Sequence, residues 1–175
     1  KTKASADDPR FAVLKERSHI YNRLKKMADD SEERLVLMLG QYGILHLCRN
    51  PSALESVNTA ATRGIVIQII TQLDGKTIRF FKQLNESIEV RHSNELESLG
   101  FVKDKSEVVQ YLNIEDNPVG RGKDDAALAI ESHAFAESHL NLIETIWENA
   151  VSFDTAVARY TENKINDPLK LTIGE

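Results

Sequence analysis

One cysteine, Cys48, in 175 residues leaves no partner for an intrachain disulfide and no set of thiolates for a zinc site. Nothing in cysteine usage points to an oxidising compartment, so a cytoplasmic location is expected. Long hydrophobic runs are also missing. The longest, such as Leu35 to Leu39, fall far short of the roughly 20 apolar residues of a membrane helix. The first residues lack the apolar segment of a secretory signal, so no membrane partner is expected. An excess of positive charge is absent too: the net charge is -5 and the pI about 5.6. That argues against a chain-wide electrostatic footprint for nucleic acid, and any DNA contact is expected to be local or to belong to a domain outside this chain. The sequence starts at Lys1 rather than Met, which suggests a piece of a larger protein.

With 41% hydrophobic residues, the chain can bury one core of its own. The stretch Ile65 to Thr71 (IVIQIIT), bounded by Arg63-Gly64 and Asp74, is short, apolar and rich in β-branched residues. Such a run between helical patterns reads as a strand buried on both faces, as in a parallel α/β sheet. Arg34 to Leu39 (RLVLML) reads as a second strand and Ile88 to Arg91 (IEVR) as a third. Asn50-Pro51 starts the helix between the first two, which stops at Gly64, and Asp74 caps a helix over 75–85. A repeated βα unit implies right-handed crossovers. Beyond it, Phe101 to Lys103 and Val108 to Leu112 flank a turn at Asp104-Lys105-Ser106. Asn113 to Asp125 is expected to be a mobile exposed loop. Ala126 to Ile130 reads as a last strand, Ser132 caps a helix from His133 to Ala150, and a final helix runs from Phe153 to Asn163. The residues after Asp167-Pro168 are expected to be poorly ordered. The fold class is therefore α/β, with a mixed, mostly parallel sheet flanked by helices.

Ahead of this lies Asp8-Pro9, a cap followed by proline, which predicts a helix from Arg10 to Ala28. Val13, Ile20, Leu24 and Met27 recur at helical spacing, with Arg17 interrupting the row. They form either a heptad seam that pairs two copies of the chain or the inner face of an ordinary amphipathic helix. The basic side chains here, Arg10, Lys15, Arg17, Arg23, Lys25 and Lys26, read as a solvated face or a phosphate contact; no aromatic row accompanies them. The expected organisation is 1–30 as a linker and dimerisation helix, 31–165 as the α/β domain and 166–175 as a tail.

In open α/β sheets ligands gather at the carboxyl ends of strands. That makes Gln41 and Tyr42 after the first strand, Gln72 after the second, and Arg91 and His92 at the third the candidate ligand-binding residues, with Arg91 suited to an anionic group. His133 and Glu137 sit one turn apart, a spacing open to a metal but ordinary for a solvated pair. Gly120-Arg121-Gly122-Lys123 lacks the strand-to-helix setting of a phosphate loop. Cys48, with His46 nearby, reads as a structural thiol. No catalytic residue, metal or cofactor is expected.

Taken together, RLVLML, RGIVIQIIT, IEVRH, the hairpin carrying FVKD, a polar loop, and a small-residue strand leading into LIETIWENA resemble the effector-sensing domain of archaeal TrmB-type transcriptional regulators, over roughly Ser31 to Tyr160. Related sensor modules occur in archaeal histidine kinases, which is the alternative setting. The resemblance implies a phospholipase D-like half-domain preceded by a helical linker. It also implies a small-molecule or protein effector, a DNA-binding domain upstream of Lys1, and a homodimer formed through the N-terminal helix. Phospholipase D chemistry uses the pattern HxKxxxxD. Counted from His92, the lysine position is Asn94 and the aspartate position Leu99, so the expectation is a non-enzyme, with a phosphodiesterase as the alternative.

Overall fold

Strand β2 (Arg34–Leu39) is where the two halves of the core meet. Successive strand residues point to opposite faces. Leu35, Leu37 and Leu39 therefore join one buried cluster, and Val36 and Met38 the other, none of them more than 3% exposed. The computed structural model describes residues 8–115 and 117–166 and surrounds β2 with seven further strands. These are β1 (Arg10–Lys15), β3 (Val66–Thr71), β4 (Glu89–His92), β5 (Gly100–Lys103), β6 (Glu107–Asn113), β7 (Ala126–Glu131) and β8 (Val151–Ser152). Their order across the sheet is β1-β7-β6-β5-β2-β3-β4-β8.

The expected run of parallel strands is present: Arg34 to Leu39 lies in register with Val66 to Thr71, and β4 continues beyond β3. The remaining pairings are antiparallel. The sheet is thus mixed as expected, but not mostly parallel, and IVIQIIT lies off its centre. The turn at Asp104-Lys105-Ser106 is too short for a crossover helix, so β6 returns antiparallel beside β5.

Helices α1 (Arg17–Asp30), α2 (Gly43–Cys48) and α3 (Pro51–Thr62) cover one face of the sheet. Gly64, at φ 94°, ends the α3 turn in the left-handed region that glycine tolerates. Helix α4 (His133–Asn149) covers the other face, and α5 (Phe153–Asn166) follows β8. Ser132 caps α4 as expected, accepting the amide of Phe135 at 3.2 Å. Ala136, Leu140, Ile143 and Trp147 then pack on Val36, Met38, Ile70, Val102 and Val108. The helix expected over 75–85 is only a 3₁₀ helix, Ile78–Gln83. Bonds between residues three apart, Phe80 N–H to Thr77 O and Leu84 N–H to Phe81 O, hold it, a pattern confined to short pieces. No helix among the described residues is long and apolar enough to cross a membrane. The expectation for the residues after Asp167 lies outside the described residues.

The largest correction is at the N-terminal side. Arg10 to Lys15 is a strand, not the first turns of a helix, and pairs antiparallel with β7 along all six residues. β7 offers a free row of backbone donors and acceptors, and satisfying them outweighs the weak helical spacing of this stretch. The direction changes at Glu16, whose φ is 74°. The expected dimer seam is dismantled as a consequence. Val13 is exposed on the edge strand, Arg17 is buried in an ion pair, and Ile20, Leu24 and Met27 are at most 1% exposed within the chain's own core. Residues 10–30 are an integral strand and helix rather than a separate linker. The basic row is also largely spent on carboxylates: Arg10 on Glu131, Arg17 on Asp125, Arg23 on Glu107 and Lys25 on Asp29.

Candidate ligand site at the carboxyl ends of the parallel strands

Because β2 and β3 are parallel, both chains leave the sheet at the same edge. After β2 the backbone turns at Gly40 and enters α2. A Cβ on Gly43 would lie 2.6 Å from the Cβ of Leu39, so glycine is what lets α2 fold back tightly against the strand. That return brings His46 inward to 8% exposure. Beneath the edge lies a cavity of about 400 Å³. Met38, Leu39, Leu96, Leu99 and Ile114 supply apolar wall; Tyr21, Tyr111, His46, Gln41 and Gln72 supply polar groups.

Behind the cavity sits a buried ion pair. Arg17 Nε donates to Asp125 Oδ2 at 2.8 Å, with Arg17 5% and Asp125 1% exposed. Arg17 Nη1 also donates to the Gly120 carbonyl, and Asp125 Oδ1 accepts the Glu115 amide. The backbone repeats the clasp: Glu16 N–H donates to Asp125 O and Arg17 N–H to Gly122 O. Gly122, at φ 66°, leaves no room for a Cβ, which would meet the guanidinium at 2.6 Å. The loop expected to be mobile is therefore strapped to the start of α1. Its GRGK segment turns carbonyls toward Arg17, whereas a phosphate cradle needs inward N–H groups.

Burial raises the phenols of Tyr21 and Tyr111, and the Tyr21 hydroxyl donates to the Gly43 carbonyl at 3.4 Å. His46 moves the opposite way. Burial first, then the positive charge of Arg17, pushes its pKa down to about 4, so the imidazole is neutral near pH 7. Its Nδ1 is buried and has no hydrogen-bond partner.

Three of the five sequence candidates, Gln41, Tyr42 and Gln72, line this cavity. Gln41 also reaches Asp74 through its side-chain amide. His92 lies instead in a neighbouring open cleft of about 710 Å³, with Arg159 and Asn163. Its Nδ1 accepts the Leu73 amide at 2.9 Å, and burial lowers its pKa. Arg91 does not join either group. Strand alternation sends it to the opposite face, where its guanidinium lies 4.2 Å over the Trp147 ring and donates to the Trp147 carbonyl and to Glu89. We take the smaller cavity as the candidate site because part of its polar lining, Tyr21, His46 and Asp125, is buried, while Gln41 and Gln72 stay exposed at its mouth. The polar lining of the larger cleft is mostly at the surface.

The remaining candidates are plain. His133 and Glu137 form an exposed pair at 3.3 Å, and no group of three metal-ligating side chains occurs among the described residues. Cys48 donates to the Phe80 carbonyl, and burial pushes its thiol up to about 11. The HxKxxxxD comparison changes register, however. Asp104, at φ 48° in the β5–β6 turn, accepts the amides of Glu32, Glu33 and Arg34 with its carboxylate. Counted back from Asp104, the histidine position is Glu97 and the lysine position is Leu99, and both line the cavity. The sequence reading missed Tyr21, His46, Tyr111 and Asp125, whose assembly depends on four separate elements.

No family model and no curated protein matches this sequence. Solved structures do. TrmBL2, an archaeal chromatin protein with a novel mode of DNA binding, is 17% identical with a TM-score of 0.60; the match covers 82% of this chain and 54% of that one. This chain therefore spans about half the length of TrmBL2. Nuc from Salmonella typhimurium, a phospholipase D family member, is 16% identical with a TM-score of 0.67, covering 83% and 99%. NucT from Helicobacter pylori is 13% identical with a TM-score of 0.65, covering 83% and 100%. The fold is accordingly phospholipase D-like, and it is shared with an archaeal TrmB-like protein. The expectation of a non-enzyme is corrected by the same likeness, because Nuc, matched over 99% of its own length, is a member of a family named for an enzyme.

Proposed function

We propose that this chain is the ligand-sensing module of a TrmB-like regulator, with the effector held in the cavity at the ends of β2 and β3. The observation that carries this reading is the Arg17–Asp125 pair. It joins the cavity's wall to the start of α1 and to β1, so occupancy of the cavity is felt by the N-terminal strand and helix. Any DNA contact then falls to a domain outside this chain. A ligand moves such an element only through different affinities for two arrangements. The test is hydrogen exchange on the chain with and without a cavity-binding compound: protection spreading from Tyr42–His46 into Glu16–Ile20 supports coupling. Protection confined to the cavity, with the amides of Glu16 and Arg17 unchanged, overturns it.

A second reading, phosphodiester chemistry, has the fold likeness behind it. Its check is hydrolysis of bis(p-nitrophenyl) phosphate by the chain, lost in His46→Ala.

A further inference from the structure

Charge around the cavity is arranged unevenly. Asp125 is neutralised by Arg17, but Glu97 and Glu115 also line the space, and neither forms an ion pair among the described residues. No lysine or arginine is among its lining residues. Phosphate and carboxylate ligands are held by such cations or by converging N–H groups, and here the nearest N–H donors of the loop are turned to its own backbone and to Asp125. Most of the wall is apolar. The buried exception with an unfilled valence is the Nδ1 of His46, on a side chain more than nine-tenths buried.

These observations disfavour a multiply anionic ligand and favour one with an apolar body. A positive charge answers the carboxylates at the rim, and His46 adds a buried, neutral polar residue to the wall. We infer that the cavity takes a small organic cation, an ammonium on an apolar or aromatic body, rather than a phosphate ester or a carboxylate. Glu97, at the position where the phospholipase D pattern has histidine, is the main source of the preference, and His46 is a buried residue of the wall. This rests on the cavity being the sensing site.

The experiment holds the body constant and varies the charge. Binding of 2-phenylethylammonium, 2-phenylethanol, phenylacetate and phenyl phosphate to the whole chain is measured by calorimetry and thermal shift near pH 7. The expected order is ammonium above alcohol by about three- to fivefold, the range of one partly exposed ion pair, with both anions weaker still. In Glu97→Gln the ammonium falls to the level of the alcohol while the alcohol is unaffected. In His46→Leu all four weaken together. If alcohol or anion matches the ammonium in the native chain, or Glu97→Gln keeps the preference, the cation proposal is overturned and the cavity remains a binding site. If none of the four binds, the cation proposal and the sensing site fall together. Circular dichroism of each variant separates a lost contact from a lost fold.

Discussion

Arg17 is a residue whose chemistry depends entirely on what the fold places beside it. At 5% exposure its charge is tolerable only because Asp125 and backbone carbonyls surround it. Removing one member leaves the other buried and unpaired, so Arg17→Met or Asp125→Leu should each destabilise the chain by about 3–5 kcal/mol in urea unfolding. The double variant should recover much of that loss. His46 makes a second prediction at this scale. Between pH 6.5 and about 4 the unfolded chain binds a proton at this residue that the folded chain refuses. Stability therefore falls as pH drops through that window, levels off below it, and is unaffected by this group above it, with a total on the order of 2 kcal/mol. His92 and His139 are lowered by burial as well and slope the same way. The difference in urea midpoint between the native chain and His46→Gln, followed from pH 7 to pH 4, isolates the share of His46.

At the scale of elements, α1 and β1 give the sharpest contrast. Leu24 is fully buried between α1 and its neighbours, whereas Val13 is more than half exposed on the edge strand. Leu24→Ala should cost about 2–5 kcal/mol by leaving a cavity, and Val13→Ala less than about 0.5 kcal/mol, as surface changes do. The same unfolding measurement checks both, and comparable losses at the two positions would restore the seam. β1 also shows where a pattern read along the chain misleads. Val13 and Ile20 are seven apart, but the break at Glu16 divides them between a strand and a helix. Helical spacing had no means of registering the open edge of β7, more than a hundred residues away in sequence.

Across the whole molecule, the two buried clusters meet on β2 and its neighbour β5, with strands on both sides. Amides of β2 and β5 should therefore exchange slowest in native-state hydrogen exchange, and those of β8 and α5, at the sheet's edge, fastest. The arrangement also explains why three of the five sequence candidates line one cavity. Gln41, Tyr42 and Gln72 follow strands, and parallel strands end together whatever the details of packing. Arg91 was misplaced because adjacent strand residues face opposite sides, and position at a strand end does not say which side a cavity takes.

By itself, the sequence determined what is local: the buried strands RLVLML and IVIQIIT, the Ser132 cap, the glycine stop at Gly64, and an α/β class that the sheet bears out. Periodicity and turn chemistry act within a few residues, so they can be read in order. Only the tertiary structure decided that 10–15 completes the sheet, that the seam is core, and that Arg17 binds a loop 108 residues away. The same holds for the candidate site, where Tyr21, His46, Tyr111 and Asp125 meet. Long-range pairing of charges and backbone groups is settled by which partners the fold brings within a few ångströms, and no spacing along the chain encodes that distance.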